Sequence, residues 1–485
     1  MEGVHSDVAR VSSGIPGLDD VLFGGFLAGR IYLVRGGPGV GKTALGLHFL
    51  AEGVRRGETA VFLSHGPTED EVRIDAASIG VDSTGIDFID FSPDPAFFKE
   101  SQSYDIFPPA DVERDAFAAT LVEQFEKLQP TRVFLDSLTQ VRHLSEDVVD
   151  FRRQAHAFLR FLSSTGATVV FASGSTDRVA DEDLQYMSDG VINLDYSVVH
   201  GRTISVNKLR GSAFRLGEHS AKVDDEGLHV YPRLLPEAFG REIPPESIPS
   251  GVAGLDAVLE GGIERSQVTI ITGPTGVGKT TLGTQFIKEA SARGERSVIY
   301  TFEETIEILC RRCEGVGMPV RAMIESGELS VVEIEPLHYT PDQFAIMVRE
   351  EVEALDARVV MIDSTAGYRL SMQGREIVPH LHALAKYLKN MGVTVILIDE
   401  MAEITGGFRA TNSEVSYLAD NIIFLRYVEL EGELRRVVGV LKKRTTDFQK
   451  QLRELSITSA GLVVGGPLAG YRGLLTGLPE PTPRA

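Results

Sequence analysis

A chain of 485 residues, 43% hydrophobic and 24% charged, has the balance of a globular protein and the length of two ordinary domains. No apolar run approaches the ~20 residues that span a bilayer, and MEGVHSDVARVSSG lacks the basic flank and apolar core of a signal peptide, so a cytoplasmic protein without membrane attachment is expected. A formal charge of −21, from 69 acidic against 48 basic residues, opposes adhesion to nucleic acid or anionic lipid, while leaving room for a local basic pore.

The first domain is expected over residues 1–238. It opens with SSGIPGLDDVLFGG, a helix bracketed by glycines, followed by a strand at Ile31 to Arg35 (IYLVR), a glycine-rich loop at Gly36 to Ala44 (GGPGVGKTA) and a helix at Leu45 to Arg55. Next come a strand at Ala60 to Ser64, a helix from Glu69 to about Ile79, a strand at Ile86 to Phe91 and a long aromatic-containing connection at Pro93 to Pro109. A helix from about Val112 to Leu128 leads to TRVFLD, a buried strand ending in Asp136. A helix at Ser145 to Ser164, a strand at Ala167 to Ala172 and a hairpin from Gly190 to Lys208 close the domain.

The order then repeats. Proline punctuates the run from Pro232 to Pro249, within which residues 239–249 are the expected linker. Lys42 and Lys279 stand 237 positions apart, and the same offset carries Ser13-Gly14 onto Ser250-Gly251 and Gly17-Leu18-Asp19 onto Gly254-Leu255-Asp256. A period this long means two whole domains rather than a solenoid. The second domain is placed at residues 250–464, and residues 465–485, rich in glycine and proline, are expected to form a mobile tail. The first domain spends about ten more residues than the second ahead of its acid-ended strand, which reads as a surface loop.

Both glycine-rich loops fit G-x-x-x-x-G-K-[ST], each between an expected strand and helix. In this motif backbone N–H groups line a nest for phosphates, the lysine reaches the β- and γ-phosphates, and the hydroxyl ligates Mg²⁺. The helix N-terminus adds its partial positive charge. The candidate nucleotide-binding residues are Gly36, Gly37, Gly39, Gly41, Lys42, Thr43 and Ala44 in the first copy and Gly273, Thr275, Gly276, Gly278, Lys279, Thr280 and Thr281 in the second. Asp136 and Asp363 end apolar strands and precede serine, where an acid holds Mg²⁺ through water, so Thr43 with Asp136 and Thr280 with Asp363 are the candidate metal residues. Alternating strands and helices predict an α/β fold, a mostly parallel sheet covered on both faces in each domain, with its sites at the strand C-terminal ends.

Hydrolysis needs a base for the attacking water. In the second domain SVIYTF runs into adjacent carboxylates, Glu303 and Glu304, whereas the offset of 237 places Gly66 and Pro67 there in the first. His65, Glu69 and Asp70 are nearby but out of register. The first site is therefore expected to bind nucleotide and hydrolyse it poorly. After the last hairpins, Lys208 with Arg210, and Lys442 with Arg444, fall on one strand face by alternation, either as a solvated edge or as phosphate contacts. Cys310 and Cys313 lie three apart within a helical stretch, which puts both thiols on one face and reads as packing.

With the duplication and these motifs in hand, the chain resembles the KaiC family of tandem RecA-fold P-loop ATPases from Val11 to about Val464. The motifs include GPTGVGKTT, TFEET, VVMIDS and ITGGFRATNSEVSYLADNIIFLRYVELEGELRR in the second domain, and GGPGVGKTA, FLDS and KLRGS in the first. The resemblance implies ATP with Mg²⁺ as ligands and a homo-hexamer with ATP between subunits. It also implies that Lys442, Arg444, Lys208 and Arg210 reach the γ-phosphate held by a neighbour, and that Glu303 is the main base with Glu304 its partner. Clock members of the family phosphorylate themselves on an adjacent serine and threonine, and the corresponding place here is Ser416-Tyr417. An ordered two-site cycle is thus not expected, while serine autophosphorylation at Ser416 stays open. The first domain's missing acid pair is a second departure, and a clock role is not expected. The leading expectation is an ATPase whose nucleotide state switches an unknown signalling or regulatory partner. The alternatives are a RecA- or DnaB-type DNA recombinase or helicase, disfavoured by near-neutral pore candidates at Ser371 to Glu376 and Val141 to Glu146, and a non-catalytic, ATP-locked scaffold, disfavoured by Glu303 and Glu304.

Overall fold

The computed structural model describes residues 9–64, 66–90, 122–137, 148–174, 181–198, 201–236, 240, 246–372, 377–401, 417–476 and 480–481. The chain divides into two units, Met1–Arg233 and Leu234–Ala485.

In the first unit the elements are β1 (Ile31–Gly36), α1 (Lys42–Arg55), β2 (Ala60–Ser64), α2 (Glu69–Ser78), β3 (Asp87–Asp90), β4 (Arg132–Asp136), α3 (Val148–Ser164), β5 (Thr168–Gly174), β6 (Gly190–Ser197), β7 (Gly201–Leu209), β8 (Glu218–Asp224) and β9 (Gly227–Tyr231). They form a nine-stranded sheet in the order β9-β8-β7-β6-β1-β5-β4-β2-β3. Strands from β6 to β3 pair in parallel, and β7, β8 and β9 add an antiparallel extension. The parallel strands read as continuous apolar runs because both faces are covered. Tyr32, Val34, Phe62, Phe134 and Val170 meet Leu45, Phe49 and Leu50 of α1 on one face. Leu33, Leu63, Leu135 and Phe171 meet Leu159 and Leu162 of α3 on the other.

The second unit repeats this plan with β10 (Val268–Gly273), α4 (Lys279–Ala292), β11 (Ser297–Thr301), α5 (Ile306–Glu314), β12 (Leu329–Glu333), α6 (Pro341–Leu355), β13 (Val359–Asp363), α7 (Thr365–Ser371), α8 (Ile377–Asn390), β14 (Thr394–Glu400), β15 (Asn421–Leu430), β16 (Glu433–Lys443), β17 (Arg453–Thr458) and β18 (Gly461–Pro467). Its sheet order is β12-β11-β13-β14-β10-β15-β16-β17-β18, the same succession. Helices α4 and α5 pack on one face and α6, α7 and α8 on the other. Both cysteines are buried as free thiols in the first of these layers, as their spacing on α5 predicts.

The helix after each loop crosses the acid-ended strand closely enough to require glycine. A Cβ on Gly46 would lie 2.4 Å from the Phe134 ring, and one on Gly283 would lie 2.5 Å from Met361 Sδ. Leu234 packs into the second unit's core, so the proline-rich run is ordered at its start. The expected tail also differs. Residues 465–467 complete β18, Tyr471–Arg472 pairs with Glu480–Pro481, and Leu474 is buried against Val428, Leu430 and Val437. Ala469 and Gly470 make a turn there, while Leu468, Tyr471 and Leu474 supply an apolar seam that composition alone conceals. Among the described residues no helix is long and apolar enough to cross a membrane.

Candidate nucleotide sites

Each phosphate loop is a strand, a turn built on glycines and a helix N-terminus. Gly41 and Gly278 cap the helices in the left-handed region, at φ 105° and 107°, and neither helix has a side-chain cap. The first-turn N–H groups are therefore left to a ligand, which is the geometry of an anion site. Gly36 and Gly273 pass so close to the neighbouring strand that a Cβ would lie 2.1 Å from Leu194 O and 2.4 Å from Leu425 O. Lys42 Nζ donates to Gly36 O at 2.9 Å and Gly37 O at 2.6 Å, and Lys279 Nζ to Pro274 O at 3.0 Å. Burial lowers the pKa of both ammonium groups, so each is poised to gain from an anionic partner. Glycines Gly37, Gly39 and Gly276 complete the turns, while Ala44 and Thr281 are buried in the first helical turn.

The acids sit where the strand pattern places them. Thr43 Oγ1 donates to Asp136 Oδ2 at 2.6 Å, and Thr280 makes the corresponding hydrogen bond to Asp363. Desolvation raises the Asp136 pKa against the Thr43 hydrogen bond and Lys42. Desolvation likewise pushes Asp363 up to about 6, opposed by the Thr280 hydrogen bond, increased by Glu304 and Glu303, and opposed by Arg312. A crowded carboxylate beside a hydroxyl, under a loop shaped for phosphate, suits a hard divalent cation, whose charge reverses this penalty. The donor set in both units therefore fits Mg²⁺.

Glu303 and Glu304 follow β11, which lies beside β13, so the pair lies next to Asp363 and Ser364. Ser364 Oγ donates to Glu303 Oε1 at 2.8 Å and accepts from Gly367 N–H at 3.0 Å. Arg312 of α5 holds Glu304, with Nη2 2.8 Å and Nε 3.3 Å from Oε2, and its Nη1 is 3.3 Å from Thr281 Oγ1. Thr275 of the loop donates to Glu400, which ends β14 directly beside Gly273. Sequence reasoning passes over Arg312, Ser364 and Glu400, because each owes its place to sheet order. The only available signal is position, since Ser364 and Glu400 stand at strand C-terminal ends. In the first unit Gly66 and Pro67 replace the acid pair, and the strand register puts Gly174 where Glu400 stands.

The basic pairs lie at strand ends that are paired on one side only: Lys442 pairs with β15 and Lys208 with β6, while β17 meets β16 only at residues 436–438 and β8 meets β7 only at residues 202–205. Lys442 Nζ donates to Ala419 O at 2.6 Å, and Arg444 Nη1 lies 3.2 Å from Asp420 Oδ1. Lys443, between them, turns the other way, with its ammonium 3.1 Å from Glu264. In the first unit Lys208 Nζ donates to Ser188 O at 2.6 Å, and Arg210 lies 3.9 Å from Asp189. Both arginines remain more than half exposed, at 58% and 55%. Asp420 also accepts from the N–H of Val268, at the start of β10, whereas the phosphate loop leaves the end of that strand. Five residues at ~3.3 Å each separate these levels, about 16 Å. Arg444 thus stands at the sheet edge opposite its own unit's loop.

Several expected features lie outside the described residues: Ser416, His65, the 93–109 connection, residues 141–146 and residues 373–376. Among the described residues no group of three or more His, Cys, Asp or Glu side chains is placed to hold a metal ion.

A family model described as the KaiC ATPase matches residues 11–234 and again residues 248–469. The chain is 28% identical to the circadian clock protein KaiC3 of Synechocystis sp., over 97% of this chain and 95% of that protein. It is 27% identical to the circadian clock oscillator protein KaiC of Synechococcus elongatus over 98% of this chain and 92% of that protein. A like identity, 27% over 98% and 96%, relates it to the KaiC of Prochlorococcus marinus strain MIT 9313.

Proposed function

The chain belongs to the KaiC family of P-loop ATPases, and from that premise we propose that it is an ATP-binding and ATP-hydrolysing regulatory protein whose hydrolysis resides mainly in the second unit. The observation that carries this reading is the carboxylate pair Glu303 and Glu304 beside Asp363 and Ser364, against Gly66 and Pro67 in the first unit.

In the second unit the Gly273–Thr281 loop and Lys279 grip the ATP phosphates, and Thr280 and Asp363 would hold Mg²⁺. Bound there, Mg²⁺ would neutralise charge developing on the phosphates. Glu303, steadied by Ser364, takes the proton of the water that attacks the γ-phosphorus as the bond to the β-phosphate oxygen breaks. Glu304 is its partner. The first unit holds ATP with Lys42, Thr43 and Asp136 and turns it over weakly or not at all.

The oligomer is a homo-hexamer with ATP between subunits. Because Lys442 and Arg444 stand about 16 Å along the strand from their own loop, they serve the γ-phosphate of a neighbour, and Lys208 and Arg210 do so in the other ring. The nucleotide state then switches a signalling protein partner. Ser416 is the assigned acceptor if phosphate passes to the protein itself, and the test is phosphopeptide mapping after labelled ATP; label confined to other positions discards Ser416.

The test of the central reading is the double variant Glu303→Gln with Glu304→Gln. ATP turnover falls about a hundredfold or more while ATP binding persists. Survival of half the activity would move catalysis to the first unit.

A further inference from the structure

We propose that Arg312 is a positioning residue for hydrolysis in the second unit: its guanidinium ties Glu304 to the phosphate-loop helix and leaves Glu303 to take the proton. The inference rests on the reading of Glu303 and Glu304 as the hydrolytic pair.

Arg312 reaches two elements at once. Nε and Nη2 converge on one oxygen of Glu304, and Nη1 meets Thr281, the residue after the Mg²⁺ candidate Thr280. The backbone around Glu304 is fixed separately, by Thr301 Oγ1 donating to Glu304 O at 2.9 Å and accepting from its N–H at 3.3 Å. The side chain is thus oriented by Arg312 and the turn by Thr301. The pair is about one-third exposed on both sides, so its Coulomb energy alone contributes little to stability. Its value is geometric, since a planar guanidinium fixes the carboxylate it meets. It also settles charge: Glu303, Glu304 and Asp363 crowd one place, Lys279 acts on Asp363 and Glu303, and Arg312 balances Glu304.

The duplication supplies an internal comparison. Thr68 and Thr305 both cap their helices, and buried Val72 and Ala76 match buried Leu309 and Cys313, so the offset of 237 holds along α2 and α5. At that offset the position of Arg312 is Asp75, and that of Glu304 is Pro67. The cation and the acid it holds are lost together in the unit read as hydrolysing poorly. A surface arginine serving only helix solubility has no reason to follow the acid.

The experiment uses the full chain, with steady-state ATP turnover and binding of a fluorescent ATP analogue. Arg312→Gln lowers kcat about tenfold with KM for ATP within about twofold, and Arg312→Lys recovers a third or more of the lost rate. The combination of Arg312→Gln with Glu304→Gln is no slower than Glu304→Gln alone, because the two act as one unit. Wild-type kcat in Arg312→Gln overturns the proposal, as do effects that multiply in the double variant or a lysine no better than glutamine. If Arg312→Gln loses analogue binding through misfolding, Arg312→Lys with and without Glu304→Gln decides by the same non-additivity. Glu303→Gln runs alongside: its activity surviving sinks the hydrolytic reading itself, whereas its loss with Arg312→Gln unaffected sinks only this inference.

Discussion

Gly273 bears the closest approach in the second site. Its φ of 157° and the 2.4 Å that a Cβ would leave to Leu425 O mean that alanine must push β15 away from the loop. Gly273→Ala is expected to destabilise the protein by about 2 kcal/mol and to weaken ATP binding, read by thermal unfolding with and without ATP. An unchanged midpoint in both conditions would show that the approach is relaxed in solution. The loop glycines, Asp136, Asp363, Glu303 and Glu304 are legible in the sequence because each breaks a pattern: an acid where an apolar strand ends, or glycines where a helix begins. Arg312 and Glu400 break none. Arg312 sits among charged residues on a helix, and its contact with Thr281 exists only because α4 and α5 share one face of the sheet.

Many strands and helices follow the apolar periodicity, but the first sheet does not close at the hairpin from Gly190 to Lys208 as expected, since β8 and β9 continue it. Thr340 and Gln343 form a reciprocal capping box at the start of α6. Thr340→Ala is expected to cost about 1 kcal/mol and to leave turnover per folded molecule unchanged, since α6 packs on the face away from the phosphate-loop helix. A loss of turnover at full folding would tie that face to catalysis. Sheet order is not written in periodicity. That β11 lies between β12 and β13, and β10 between β14 and β15, decides which strand ends meet, and so brings Glu303 to Ser364 and Glu400 to Thr275. The segment after residue 465 is the converse case, where composition suggests mobility and three apolar side chains supply a seam.

The duplication, the parallel architecture and the asymmetry between the two copies can all be argued from sequence, because an offset of 237 aligns loop with loop and exposes what the first copy lacks. Assembly is the step that one chain does not contain. Lys442 and Arg444 stand at the sheet edge opposite their own loop, so mixing Arg444→Ala subunits with Lys279→Ala subunits is expected to restore part of the turnover that each lacks alone. No recovery at any ratio would count against action across an interface. The central claim, that one unit hydrolyses while the other stores, is tested most directly by the nucleotide retained after incubation with ATP and Mg²⁺, removal of free nucleotide, and quenching. About half of it is expected as ATP, held by the first unit, and the rest as ADP, with nearly all as ATP in the Glu303→Gln, Glu304→Gln variant. ADP in both units of the wild type, or ADP persisting in the variant, would contradict it.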